Sequence, residues 1–109
     1  MRAPAQLVFP ILRGAGVRDE VEVTDYYEAG LMQYLGYPCI RCVVSGQEYS
    51  WTFRIKQFDA EFVKQDFQNP ATSVLLLGYI KALNSVASFR NQARRSLDGM
   101  WRSEKYASK

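Results

Sequence analysis

Between Cys39 and Lys56 the chain alternates with a period of two, and no other stretch restricts the fold as tightly. Ile40, Cys42 and Val44 alternate before Ser45-Gly46-Gln47-Glu48, and Tyr49, Trp51, Phe53 and Ile55 alternate after it. Successive strand side chains point to opposite faces, so two such runs joined by a short Gly-containing loop predict a β-hairpin over 39–56. One face is apolar. The other carries Ser50, Thr52, Arg54 and Lys56, joined from the first strand by Arg41 and Val43. Aromatic residues on a sheet can stack on bases, but Trp51 and Phe53 share their face with aliphatic residues and read as core. Two strands alone are marginal. Either a strand at Leu7-Val8-Phe9 or a second subunit is expected to complete the sheet.

Helices are expected on both sides of the hairpin. Thr24 reads as an N-cap with Asp25 in the first turn, opening a helix over 25–35 that ends at Gly36. Its stripe is Tyr27, Leu31, Tyr34 and Leu35. Asp59 reads as the cap of a short helix over 60–68, with Phe58 and Val63 placed for a hydrophobic staple and Phe62, Val63 and Phe67 as its apolar side. Asn69-Pro70 reads as the opening of a long helix over 70–97, with Asp98-Gly99 as its stop. The fold class is α+β, in one domain of 109 residues. Residues 1–20 are expected to form a flexible or strand-containing segment, and 98–109 a basic tail. The hairpin's apolar face is expected to pack on Tyr27, Leu31, Phe62, Leu76, Ile80 and Leu83.

Charge is distributed unevenly. Residues 19–78 carry nine acids against Arg41, Arg54, Lys56 and Lys64. Residues 79–109 carry seven bases against Asp98 and Glu104, a net of +5 within a whole chain of +3. On the long helix, Leu76, Tyr79, Ile80, Leu83, Val86, Ala87, Ala93 and Leu97 share a broad face. Arg90 falls near the middle of that face and Arg94 only about 40° away. A buried guanidinium needs a partner. Three solutions are open: pairing with carboxylates from the acidic middle, a helix break near Ser88, or a C-terminal half that projects and binds something. Trp101 lies among these basic residues, and cations interleaved with aromatics suit nucleic acid.

Several activities are excluded or disfavoured. The chain has no histidine, which removes His-based acid/base chemistry, Ser-His and Cys-His triads and His-ligated metals. Cys39 and Cys42 stand three apart in a strand, where their side chains should point to opposite faces and neither bridge nor chelate. They read as buried or half-buried, reduced structural residues, which fits a cytosolic protein. Arg13-Gly14-Ala15-Gly16 lacks the rest of a P-loop, and no dinucleotide fingerprint or nucleophile elbow occurs. The acids Asp19, Glu20, Glu22, Asp25 and Glu28 lack a matched second group for Mg²⁺. Residues 1–12 do not read as a signal peptide, and the longest apolar run, 74–80, is too short to span a membrane. No enzyme activity, cofactor, metal, membrane contact or small-molecule substrate is expected.

The order Thr24-Asp25-Tyr26-Tyr27-Glu28-Ala29, Leu31, Leu35-Gly36, Trp51-Thr52-Phe53 and the helix at 59–67 resembles a small domain of phage and mobile-element proteins. The resemblance covers about residues 23–90 and brings no activity with it. It implies a phage or mobile-element setting, and hence the host cytoplasm. The expected function is a non-enzymatic binding protein that contacts nucleic acid, or a complex handling it. The expected site is Arg90, Arg94, Arg95, Arg102, Lys105 and Trp101, with Arg41, Arg54 and Lys56 secondary. The alternative is a protein-interaction module, a homodimer or an inhibitor, that uses the long helix's apolar face.

Overall fold

A computed structural model describes residues 19–105. Seven elements follow in order: β1 (Glu20–Val23), α1 (Tyr26–Tyr34), β2 (Cys39–Ser45), β3 (Glu48–Arg54), α2 (Gln57–Gln68), α3 (Leu76–Arg95) and β4 (Met100–Arg102). The expected α+β class is what the chain adopts. The four strands form an antiparallel sheet in the order β1-β3-β2-β4.

The hairpin turns at Gly46, whose φ of 64° is left-handed and favours glycine. Two further strands complete the sheet among the described residues. Leu7-Val8-Phe9 lies outside the described residues. Glu20–Val23 pairs with β3 on one side, and Met100–Arg102 pairs with β2 on the other. Residues 98–105 are therefore not a free tail. Gly99, at φ 67°, turns the chain back after α3, and the Asp98 carboxylate accepts from the Met100 amide at 3.1 Å.

Register assigns the two faces. Val21 and Val23 lie beside Phe53 and Trp51, and Cys42 lies between Trp51 and Trp101. Cys39 faces Phe53 while Arg41 faces Thr52, so Ile40 is an extra residue, a β-bulge. The bulge corrects the expectation for the cysteines: both belong to the core face. On the outer face, Glu22, Thr52, Arg41 and Arg102 form one row across all four strands.

α1 and α3 cover the core face and run antiparallel to each other. Tyr34 accepts from the Leu75 amide, Tyr79 donates to the Tyr27 carbonyl, and Tyr26 donates to the Leu83 carbonyl. Glycine permits this approach: a Cβ on Gly30 would stand 2.4 Å from Leu83 Cδ2, and one on Gly78 would stand 3.0 Å from Tyr34. α1 buries four consecutive residues, Ala29 to Met32, because α3, α2 and β1 all pack against it.

The helix starts differ from those expected. Asp25, not Thr24, caps α1, accepting from the amides of Tyr27 and Glu28 at 2.8 and 3.0 Å. α2 begins at Gln57 without a side-chain cap, leaving Asp59 in its first turn. Phe58 packs edge-on against Phe62 instead of stapling to Val63, and both phenylalanines are exposed. Asn69-Pro70 does not open α3. The Asn69 side chain accepts from the Ala71 amide in a tight turn, and the residues that follow, Thr72-Ser73-Val74, are weak helix formers. α3 starts six residues later and stops at Arg95.

The buried stripe of α3 is Ala82, Val86 and Ala93. Leu31 is in the core as expected, Leu83 is half-buried against Gly30 of α1, and Tyr27, Leu76, Ile80 and Leu97 are exposed. The first turn of α3 sets Gly78 and Tyr79 against α1, which leaves its leucines exposed. Leu97 lies past the last residue of the helix.

Candidate basic and aromatic site

The second half of α3 is fixed to the sheet by one interior hydrogen bond. The Trp51 indole N–H donates to the Val86 carbonyl at 3.1 Å. One turn further, Arg90 reaches over the rings of Tyr26 and Tyr49, with its guanidinium carbon 5.4 and 5.6 Å from their centroids. Arg94, a turn beyond, lies over Tyr49 at 5.4 Å and donates to the same hydroxyl through Nε (3.0 Å) and Nη2. Trp51 lies beneath, 6.2 Å from both tyrosine rings.

Aromatic faces thus carry the two cations that the helical wheel placed on an apolar stripe. The helix does not break at Ser88, and no carboxylate pairs with either arginine among the described residues. Arg90 is half-buried, and its Nε is out of solvent with no hydrogen-bond partner. A groove opens in front of it, lined by Thr24, Tyr26, Gln47, Glu48, Tyr49, Trp51 and Arg90.

The remaining expected residues lie on the other flank of α3. Trp101 is half-buried and stacks on Phe89, with centroids 4.1 Å apart and planes at 14°. Its ring is therefore mainly a packing surface. Beside it, Gln92, Arg95, Ser96, Met100, Trp101 and Arg102 line a second, shallow groove. Arg102 pairs with Asp98 at 3.1 Å, and this contact with the Met100 amide holds the Asp98 carboxyl below its ordinary range. Lys105 is exposed just beyond β4. The six residues accordingly divide into Arg90 and Arg94 on one side, Arg95, Trp101 and Arg102 on the other, and Lys105 beyond them.

The secondary residues do not join either group. Arg41 and Arg54 lie on the outer face of the sheet, Arg41 paired with Glu20 at 3.1 Å and Arg54 in register with Glu20. Lys56 is exposed at the start of α2.

Burial pushes the Cys39 thiol up to about 12 and that of Cys42 to about 11. Burial thus disfavours the thiolate, the form that attacks or ligates. Among the described residues no cluster of Cys, Asp and Glu converges in a way that could hold a metal ion, and no helix is long and apolar enough to cross a membrane.

A second surface feature was only partly legible in the sequence. Leu75, Leu76 and Leu77 are 77, 69 and 74% exposed, with Ile80 one turn on and Leu35 at the adjoining end of α1. Contiguous apolar surface of this kind commonly marks an interaction site.

Tyr26 is the site residue that sequence reasoning missed. Its neighbour Tyr27 fits the helical stripe better, and only the antiparallel docking of α1 on α3 turns Tyr26 toward Arg90. The available signal was Arg90 itself, a cation on an apolar face that had to find a partner.

Comparison with protein-family models, with curated proteins and with solved structures finds no match to this chain. The phage and mobile-element resemblance rests on the quoted residues alone.

Proposed function

We propose that the chain is a non-catalytic binding protein that contacts nucleic acid through the C-terminal half of α3 and the edge strand β4. The observation that carries this reading is the placement of Arg90 and Arg94 on one flank of the helix and Arg95 and Arg102 on the other. A helix with cations on both flanks suits a phosphate backbone, which presents closely spaced negative charges. The phage or mobile-element setting, with a site of action in the host cytoplasm, belongs to the same proposal.

The direct test is Arg94→Glu combined with Arg95→Glu, assayed for binding to single-stranded DNA, duplex DNA and RNA. A large loss of affinity for the preferred nucleic acid supports the reading. Unchanged binding places the contact surface elsewhere.

The exposed leucines favour a second reading, a protein-interaction module using the first turns of α3. That reading expects an oligomer that tolerates salt and dissociates on dilution. A strict monomer at high micromolar concentration counts against a homodimer.

A further inference from the structure

We propose that the groove between the start of α1 and the β2–β3 hairpin is a phosphate-binding site, with Arg90 as its anchor. The proposal rests on the nucleic-acid reading and names the group that this part of the surface takes.

Arg90 is the reason. A guanidinium carries five N–H donors, and in Arg90 none of them meets an acceptor among the described residues. The rings of Tyr26 and Tyr49 balance its charge from their faces but accept no conventional hydrogen bond. Half-burial strengthens the demand for an anion, because the charge is partly withdrawn from water.

Its neighbours are arranged differently. Arg94 already donates twice to the Tyr49 hydroxyl, so that oxygen is an acceptor and its own proton is directed elsewhere. The Trp51 N–H and the Tyr26 O–H are engaged with the carbonyls of Val86 and Leu83. The groove is thus lined by Arg90, whose donors are unengaged, and by Tyr49, whose hydroxyl proton is free of Arg94, together with Thr24 and Gln47. Glu48 is the single acid in the lining, and it is exposed on the hairpin end. A planar fork of N–H groups beside a hydroxyl donor matches the oxygens of a phosphate. The phosphate could come from within a strand or from its end, and the two sources are separable.

The experiment follows the side-chain N–H of Arg90 by nitrogen–proton NMR while the full chain is titrated. The probes are inorganic phosphate, acetate, and oligothymidylate with and without a terminal phosphate. Phosphate and the oligonucleotides are expected to shift the Arg90 signal, with acetate much weaker. Preference for the terminally phosphorylated strand assigns the end, and equal shifts assign an internal phosphate. Arg90→Met, which keeps the apolar stem, should weaken oligonucleotide binding about tenfold or more. Glu48→Gln should tighten it, and serves if Arg90→Met fails to fold.

Three results overturn the proposal. The first is acetate matching phosphate at equal concentration. The second is oligonucleotide affinity unchanged in both Arg90→Met and Glu48→Gln while Arg94→Glu/Arg95→Glu abolishes it, in which case the nucleic-acid reading survives alone. The third is an Arg90 signal that no probe moves. If inorganic phosphate shifts Arg90 but no nucleic acid binds, the site stands and the nucleic-acid reading falls.

Discussion

Trp51 and Val86 are joined by an interior hydrogen bond, indole N–H to helix carbonyl at 3.1 Å, and the position of α3 on the sheet follows from it. Trp51 is almost fully buried and Val86 completely so. The bond sets the helix so that the side chains one and two turns on, Arg90 and Arg94, meet the rings of Tyr26 and Tyr49.

Trp51→Phe keeps an aromatic ring but removes the donor and leaves a gap. The expected cost is about 2–3 kcal/mol, combining a lost buried hydrogen bond with incomplete packing. Chemical denaturation of the variant measures it. A cost below about 0.5 kcal/mol contradicts the anchoring role.

Gly30 faces Leu83 at the closest approach of α1 and α3. Gly30→Ala gains about 1 kcal/mol of helix propensity, yet its Cβ would stand 2.4 Å from Leu83 Cδ2 and 3.2 Å from Cγ. Overpacking of this sort costs about 1–3 kcal/mol, so the net effect should be destabilising. The same change made in a Leu83→Ala background should instead be neutral or stabilising. A double-mutant cycle reads the difference directly.

The sheet's two halves differ in how much the sequence disclosed. The β2–β3 hairpin was legible because its alternation is local, running from Ile40 to Ile55. β4 was not, because Met100-Trp101-Arg102 is too short to show a period and forms only by pairing with β2. The Ile40 bulge is equally silent in sequence, yet it turns Cys39 to the core and overturns the simple alternation argument. In α3 the apolar residues Leu76, Ile80 and Val86 fall on one face of the helical wheel, and only the docking of α3, with Gly78 and Tyr79 against α1, leaves the first two exposed. The basic residues were all identifiable. Their division between two flanks of the helix depended on the docking of α3, which no local pattern encodes.

Cys39 and Cys42 should resist modification in the folded state. Burial raises their thiols to about 12 and 11 from an ordinary 9.0, so the fold favours the neutral form. The associated stability is fully present below about pH 9 and is lost as pH rises through 11 and 12. A thiol reagent at pH 8 should react slowly with the native chain and rapidly with both residues in denaturant. Fast reaction under native conditions contradicts their burial.

Asp98 holds the turn into β4 by accepting from the Arg102 side chain and the Met100 amide. Its carboxyl is depressed in the fold, so its contribution is present above the ordinary carboxylate pKa and lost as pH falls through the depressed value. Amide exchange at Met100 should accelerate relative to the sheet centre as the solution is acidified below about pH 4. Asp98→Asn should show the faster exchange already at neutral pH.

Leu76→Ser with Leu77→Ser alters two exposed side chains. Thermal stability should stay within about 0.5 kcal/mol of the parent chain. Any concentration-dependent association seen in sedimentation should weaken. A large loss of stability places these leucines in a core, and unchanged association moves the contact elsewhere.

Nucleic-acid binding by the basic half of α3 is tested by the salt dependence of its affinity. The purified chain is titrated against single-stranded DNA, duplex DNA and RNA from low to physiological salt. Binding to at least one of them is expected, with an affinity that falls steeply as salt rises. On duplex DNA the logarithmic slope should shrink by roughly 0.9 for each phosphate-contacting arginine removed. Absence of binding at every salt concentration, or an affinity indifferent to salt, contradicts the nucleic-acid reading.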